Sequence, residues 1–267
     1  MDKFVVLQIS GAAGLGSLLN KYRKAGNSFY VKKNSLSSRL NEYYGGKSFP
    51  NMKKLIINAI FHRKKYQIIH IHGSELLVPI FKLFNKKVVL HYHGSDINII
   101  GRNNNPFRII CRSLAGIILI ADPHMKPKTI GEKQIISLPN LIDTNSFTNI
   151  HTLKNDKALC IVSRNLDITK IKKFNSVINK NITYYDLTEQ GIIDIRDMPK
   201  FLAQYEYYID NKITDFGKYL DAFSTVGLQA LSLGLTVIHN GQEFNQFPIE
   251  HNPAAILTKL EKIYGIL

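Results

Sequence analysis

Two short histidine motifs carry the densest chemistry in this 267-residue chain: His70-Ile71-His72-Gly73 and His91-Tyr92-His93-Gly94. In an extended strand, residues i and i+2 point to the same face, so either pair could chelate a metal ion. No cysteine and no obvious acidic ligand completes a zinc-type spacing, so no metal is assigned to them. Both motifs instead close apolar runs, at the carboxyl ends where open α/β sheets bind ligands. One histidine of each pair reads equally well as a satisfied core or loop residue. Gly11, Gly14 and Gly16 follow another apolar run and open a helical stretch, where backbone N–H groups and the helix dipole can receive an anion. Their spacing is not the dinucleotide fingerprint. Counting from Gly14-Leu15-Gly16, the third glycine would fall on Leu19, and no acidic residue stands about 20 positions on to hold a ribose. A tight turn with close helix–strand packing explains the same glycines. Ser224-Thr225-Val226-Gly227-Leu228 begins a further helical run, with two hydroxyls and unpaired N–H groups. It reads as a phosphate site or as an ordinary N-cap.

The elements that must position these residues alternate along the chain. Apolar runs at Phe4–Ile9, Gln67–Ile71, Lys87–His91, Gly116–Ile120 and Gln134–Ser137 read as buried strands. Between them, Met52–Phe61, Leu76–Phe84 and Pro106–Ser113 read as helices. The alternation resumes after the polar stretch Ser146–Asp156, with strands at Ala158–Val162, Thr183–Asp186, Tyr207–Asp210 and Thr236–His239. The helices expected there are Lys170–Asn179, Met198–Tyr205, Phe223–Leu233 and one from about Pro253 to Ile263. This order predicts an α/β protein with parallel sheets, divided into domains of residues 1–150 and 151–267.

Several of these segments resemble, in order, the retaining glycosyltransferases of family 4. They are Ile68 to Gly73, Val88 to Asp96, Ile117 to Asp122, Leu138-Pro139-Asn140-Leu141-Ile142-Asp143, Ile161-Val162-Ser163-Arg164, and Leu228 to Ile238. The resemblance implies a GT-B fold, two Rossmann-like domains facing across a cleft, with the donor held mostly by the C-terminal half. It implies transfer of a sugar from a nucleotide-sugar, with retention, to a sugar, lipid-linked or protein acceptor, and no cofactor beyond that co-substrate. Arg164 takes the place of the family's phosphate-binding arginine. Lys170 follows it after five intervening residues where the family has four, leaving Lys172 and Lys173 as alternatives. The family's two glutamates correspond to Asp221, which would touch the donor sugar, and Gln229, which would hold the ribose. Gln229 keeps a carbonyl acceptor without the charge, and Asp221 keeps the charge with a shorter reach. Asp221 also reads as a residue near a helix N-cap. Gly14, Gly16, Ser224, Thr225, Gly227 and Leu228 join the donor side. His93 is the candidate beside the reacting groups, with His72, Gly94, Asp96 and Asn140 on the acceptor side.

Charge separates the two halves. The net charge is +15, and residues 1–150 hold 22 Lys and Arg against 7 Asp and Glu, while residues 151–267 hold 13 of each. The basic half should face something anionic. It carries no recognisable nucleic-acid motif, so a nucleic-acid partner is not expected. An anionic membrane surface is expected instead, met by the basic clusters around Lys53-Lys54 and Arg63-Lys64-Lys65 on an amphipathic helix. The competing reading is that the helix packs its apolar side on the sheet and the lysines only keep the chain soluble. Cys111 and Cys160 stand far apart and read as reduced, buried thiols. Gln8, Ser10 and three glycines break the opening apolar run, which argues against a signal peptide. The expected location is the cytoplasm, peripheral on the membrane's cytoplasmic face.

Overall fold

Apolar residues at alternate positions of the strands, and on one side of each helix, build two α/β units. One comprises Met1–Leu141 with Pro253–Leu267, the other Ile142–Asn252. The computed structural model describes residues 3–10, 14–84, 86–93, 102–123, 125, 127–147, 150–151, 156–162, 169, 172, 175–176, 178–210 and 223–267. The division falls between Leu141 and Ile142, ahead of the expected 150/151 boundary, and the chain returns to the first unit at Pro253.

Among the described residues, the first unit has a parallel sheet of seven strands. These are β1 (Val6–Ser10), β2 (Gly26–Val31), β3 (Lys47–Phe49), β4 (Ile68–His72), β5 (Lys87–Tyr92), β6 (Ile117–Ile120) and β7 (Ile135–Ser137). Their order is β3-β2-β1-β4-β5-β6-β7. The chain winds outward from β1 through β2 and β3, then crosses to β4 on the other side of β1. That reversal is a Rossmann-like topological switch, beside which ligands bind at the carboxyl ends of strands.

Helices cover both faces. On one, Leu55 and Ala59 of α3 (Met52–Phe61) and Phe81 of α4 (Val78–Lys82) pack with Leu7, Ile69, Leu90 and Ile118. On the other, Leu18 and Leu19 of α1 (Leu15–Arg23) meet Val6, Ile68 and Val89. Two further helices of this unit are α2 (Leu36–Tyr43) and α5 (Pro106–Ser113). Each is started by a side-chain cap: the oxygen of Ser35 accepts from Ser38 N–H at 3.3 Å, and that of Asn105 from Arg108 N–H at 3.1 Å.

The second unit has a mixed five-stranded sheet of order β12-β11-β10-β8-β9. Its strands are β8 (Lys157–Val162), β9 (Asn181–Asp186), β10 (Tyr207–Asp210), β11 (Thr236–His239) and β12 (Gln242–Phe244), with β12 antiparallel to β11. Here the direction of winding reverses between β8 and β10. Its described helices are α6 (Met198–Leu202) and α7 (Thr225–Leu233), and the expected helix at Lys170–Asn179 lies largely outside the described residues.

The final helix, α8 (Pro253–Ile266), belongs to the first unit. Ile256, Leu260, Ile263 and Tyr264 enter the apolar layer of α1. Burial on this scale is worth about 1.5–3 kcal/mol per large side chain. Glu261 pairs with the buried Arg23 of α1 through Nε at 2.9 Å and Nη2 at 2.5 Å, and Nη2 also donates to the Phe4 carbonyl at 2.9 Å. Cys111 and Cys160 are buried and are not joined in a disulfide. No helix among the described residues is long and apolar enough to cross a membrane.

Candidate functional site

One face of the first sheet changes character along its length. Near the amino ends of the strands, the face toward α1 and α8 carries Val6, Ile68, Val89 and Ile117. Two residues further along each of three strands it carries Gln8, His70 and His91, and then His72 and His93. A buried apolar layer thus becomes polar toward the carboxyl ends, beside the β1/β4 switch. Register places His72 directly opposite His91, so four imidazoles stack across two strands, with adjacent ring centres 4.0–5.7 Å apart.

Buried polar groups need partners, and most here have them. His72 Nε2 lies 2.8 Å from Gln8 Oε1, and its Nδ1 2.7 Å from His93 Nε2. His93 Nδ1 lies 2.7 Å from Asn140 Oδ1, in the segment after β7. On the far side, His70 Nδ1 is 2.7 Å from the Tyr264 hydroxyl of α8. Two exceptions remain: His70 Nε2 is buried without a hydrogen-bond partner, and so are both ring nitrogens of His91. The Leu138 main chain is close enough to His91 to favour its charged form. Burial, reinforced by the neighbouring imidazoles, holds His70, His72 and His91 well below the ordinary histidine pKa, so all three are neutral at pH 7.

The bonds constrain the protons. A neutral His72 donating Nε2–H to Gln8 must accept at Nδ1, so His93 donates from Nε2. His93 Nδ1 then faces an acceptor, a pairing satisfied either by an imidazolium or by the Asn140 amide turned to present its NH₂. The chain Gln8–His72–His93–Asn140 therefore holds a proton on His93 Nε2 and orients His93, the one partly exposed ring of the four.

Beside this chain lies a buried carboxylate among three arginines. Glu75 accepts from Arg102 at 3.1 and 2.7 Å and from Arg108 at 2.8 Å, with Arg112 3.8 Å away. Arg102 also donates to the Gly73 carbonyl, which fixes the turn leaving β4. Burial alone would raise the Glu75 pKa, but the arginine hydrogen bonds outweigh it and hold the carboxyl below its ordinary value. At the opposite, amino end of the strands, an open groove of about 810 Å³ is lined by Phe4, Tyr22 and Leu257 with Lys3, Lys24 and Lys262.

In the second unit, the end of β10 meets the start of α7. Asp210, buried, accepts from Ser224 N–H at 2.8 Å, and the Ser224 hydroxyl accepts from Gly227 N–H at 3.0 Å. A Cβ on Gly227 would stand 2.5 Å from Asp210 Oδ2, so glycine is needed for this close approach. Asp210 therefore already supplies an anion at the helix N-terminus. His239 Nδ1 donates to the Asp210 carbonyl at 3.2 Å, and Nε2 accepts from Asn240 at 3.3 Å.

Of the residues singled out in the sequence, the structure joins His72, His93 and Asn140 in one chain of hydrogen bonds. Gly94, Asp96, Arg164, Lys170 and Asp221 lie outside the described residues, as does Lys173. Lys172 is exposed and sits over the Tyr184 ring at 5.4 Å. Gly14 is the N-cap of α1 with φ 72°, and a Cβ there would meet Leu40 Cβ at 2.6 Å. That is the tight-turn, close-packing role, and Gly16 is buried within the same helix. Ser224 is a helix cap and Thr225 an exposed first residue, while Leu228 and Gln229 are buried in α7. Gln8, Tyr264, Asp210 and His239 were not singled out. For Gln8 the available signal was a polar residue at an inward position of an apolar strand, in phase with the histidines.

No protein-family model matches this chain, and no curated protein matches it.

Proposed function

We propose that the chain is a retaining glycosyltransferase of GT-B type, moving a sugar from a nucleotide-sugar to an acceptor hydroxyl. The observation that carries this reading is that each α/β unit has its own topological switch, with polar side chains gathered at strand carboxyl ends beside it. The order of the glycosyltransferase-like segments supports it. In this reading the two units face each other as a GT-B pair. Arg164 with Lys170 or Lys172 neutralises the departing diphosphate, which is stabilisation of developing charge. Gln229 accepts from the ribose and Asp221 meets the donor sugar. His93, set by His72 and Asn140, stands beside the acceptor with Gly94 and Asp96.

The acceptor in this proposal is presented at an anionic membrane on the cytoplasmic side. Leu55 and Ala59 of α3 do pack on the sheet, yet Phe61 is 77% and Leu83 82% exposed, with Ile57 also exposed. Arg63 lies 5.0 Å over the half-exposed Phe84 ring, so a cation and an apolar ring share that surface. Exposed apolar side chains beside lysine and arginine suit an interface of headgroups and acyl chains.

A second reading, a nucleotide-binding subunit without turnover, is favoured by Gln229, an uncharged amide buried in α7 where the family has a glutamate. Thermal shifts with nucleoside diphosphates, followed by a transfer assay over a panel of nucleotide-sugars, separate the two. Binding with transfer supports the first reading and binding without transfer the second. In both, Arg164→Ala should weaken binding by about 1.5–3 kcal/mol. A folded chain that binds no nucleotide refutes both.

A further inference from the structure

The three neutral imidazoles inside the first sheet have a property that packing alone does not explain. His70, His72 and His91 each offer a ring nitrogen, and these three atoms lie within 4.8 Å of one another. Two come from one strand at i and i+2, and the third comes from the adjacent strand, directly opposite His72. The third ligand is supplied across the ladder, which is why spacing along the sequence did not reveal it.

Hydrogen bonds outside the cluster set its tautomers. His70 Nε2 is buried without a partner, and with a metal ion on Nε2 the proton of His70 would sit on Nδ1 and be donated to the Tyr264 hydroxyl 2.7 Å away. Gln8 Oε1 holds the proton of His72 on Nε2 and leaves on Nδ1 a lone pair that accepts from His93 Nε2 at 2.7 Å. His91 brings two nitrogens with no side-chain hydrogen bond, beside the main chain of Leu138. An outer partner on one ring nitrogen and a bare lone pair on the other is the arrangement that orients metal-binding histidines. A buried polar nitrogen without a partner is otherwise a net cost.

We infer that His70, His72 and His91 form a binding site for one divalent transition-metal ion of the zinc class. Imidazole nitrogens suit zinc, copper and nickel rather than magnesium or calcium, which take oxygen ligands. At metal–nitrogen bonds of about 2.0–2.1 Å, a tetrahedral ion holds its ligands about 3.3 Å apart. Binding therefore contracts the triangle and turns the rings out of their stacking, in which His70 lies 20° and 17° from parallel with His72 and His91, and His72 exchanges its bond with His93 for the metal. His93, beside the cluster, is partly exposed. The inference does not rest on the glycosyltransferase reading and is measured without nucleotide.

The test uses the full chain produced in zinc-supplemented medium, desalted, and assayed for metal by elemental analysis. One zinc per chain is expected. Cobalt exchanged into the protein should give the intense visible absorption of a four-coordinate site. His91→Gln, which removes no hydrogen bond between side chains, should abolish the stoichiometric metal, whereas His151→Gln, at an exposed position, should leave it intact. Tyr264→Phe should keep the site and weaken it by about 10- to 100-fold. Circular dichroism verifies that each variant is folded; should His91→Gln fail to fold, the Tyr264→Phe affinity decides. Substoichiometric metal in the wild-type chain overturns the inference. So does metal retained in folded His91→Gln, or an affinity unchanged in Tyr264→Phe.

Discussion

Replacing Glu75 by Gln changes one buried carboxylate into an amide of nearly the same shape, and leaves three arginines without their shared counter-charge. Glu75 accepts three hydrogen bonds of 2.7–3.1 Å from Arg102 and Arg108, while Arg112 stands 3.8 Å off and is itself buried. Breaking a buried ion pair by removing one partner costs about 3–5 kcal/mol. Arg108 is 31% exposed and Arg102 15%, so part of the stranded charge can turn to water, and the lower end, about 3 kcal/mol, is expected. At about 2–4 °C per kcal/mol, the melting temperature should fall by about 6–12 °C. Urea unfolding followed by a signal specific to the first unit is the cleaner assay, because two units need not unfold as one transition.

The pH dependence has a definite sign. The folded-state pKa of Glu75 lies below its unfolded value, so the ionised carboxylate stabilises the protein fully above the unfolded value, near 4.3 for glutamate. That stabilisation is lost as pH falls through the folded pKa. The wild-type advantage over Glu75→Gln should therefore be constant from pH 7 to about 5.5 and shrink below about pH 4. Equal stability of the two proteins at pH 7, or a gap that widens on acidification, refutes this account of the arginine cluster.

Leu260→Ala should destabilise the first unit by about 2–5 kcal/mol, since the side chain is fully buried between α8 and α1, and hydrogen exchange should quicken in residues 15–23 but not in 225–233. Gly227→Ala should cost about 1–3 kcal/mol because its methyl would meet Asp210 Oδ2 at 2.5 Å, and Gly227→Ala combined with Asp210→Ala should recover part of that loss, as read by urea unfolding. Sedimentation with anionic vesicles should fall when Phe61→Ser is combined with Arg63, Lys64 and Lys65 changed to Gln, and wild-type binding should weaken as salt shortens the Debye length. Equal sedimentation with neutral vesicles would remove the membrane from the proposed function.

The strands legible in the sequence were those buried on both faces. Ile68–His72, Lys87–Tyr92 and Ile117–Ile120 are continuous apolar runs because helices cover both sides of the sheet there. Gly26–Val31 and the three-residue Lys47–Phe49 lie toward the edge, where Asn, Ser and Lys dilute the pattern, and they were not recognised. Helix α2 was missed for a related reason: Ser37, Ser38 and Asn41 form helices poorly, and its start depends on the Ser35 cap. His72 and His93 could be found because their motifs end strands, and Asn140 through the resemblance of the segment that holds it. Their connection through Gln8, and the placing of His91 opposite His72, depend on register between strands, which no local spacing encodes. Likewise Ser224 and Gly227 were visible as a helix start, but the carboxylate they enclose comes from Asp210, on another element.

The return of α8 to the first unit has a consequence for synthesis. Residues 142–252 leave the ribosome together and contain all the strands of their own sheet, so that unit can fold while the chain is still growing. The first unit cannot close its second apolar layer until residues 253–267 emerge, more than 110 residues after β7. During that interval Val6, Leu18, Leu19 and Ile68 have no α8 to cover them, and a nascent chain in this state is a substrate for chaperones and a risk for aggregation. A ribosome stalled before residue 253 would release a product whose downstream unit is sound and whose upstream unit is not. Loss of residues 253–267 would then fall hardest on the unit built mostly from residues 1–141.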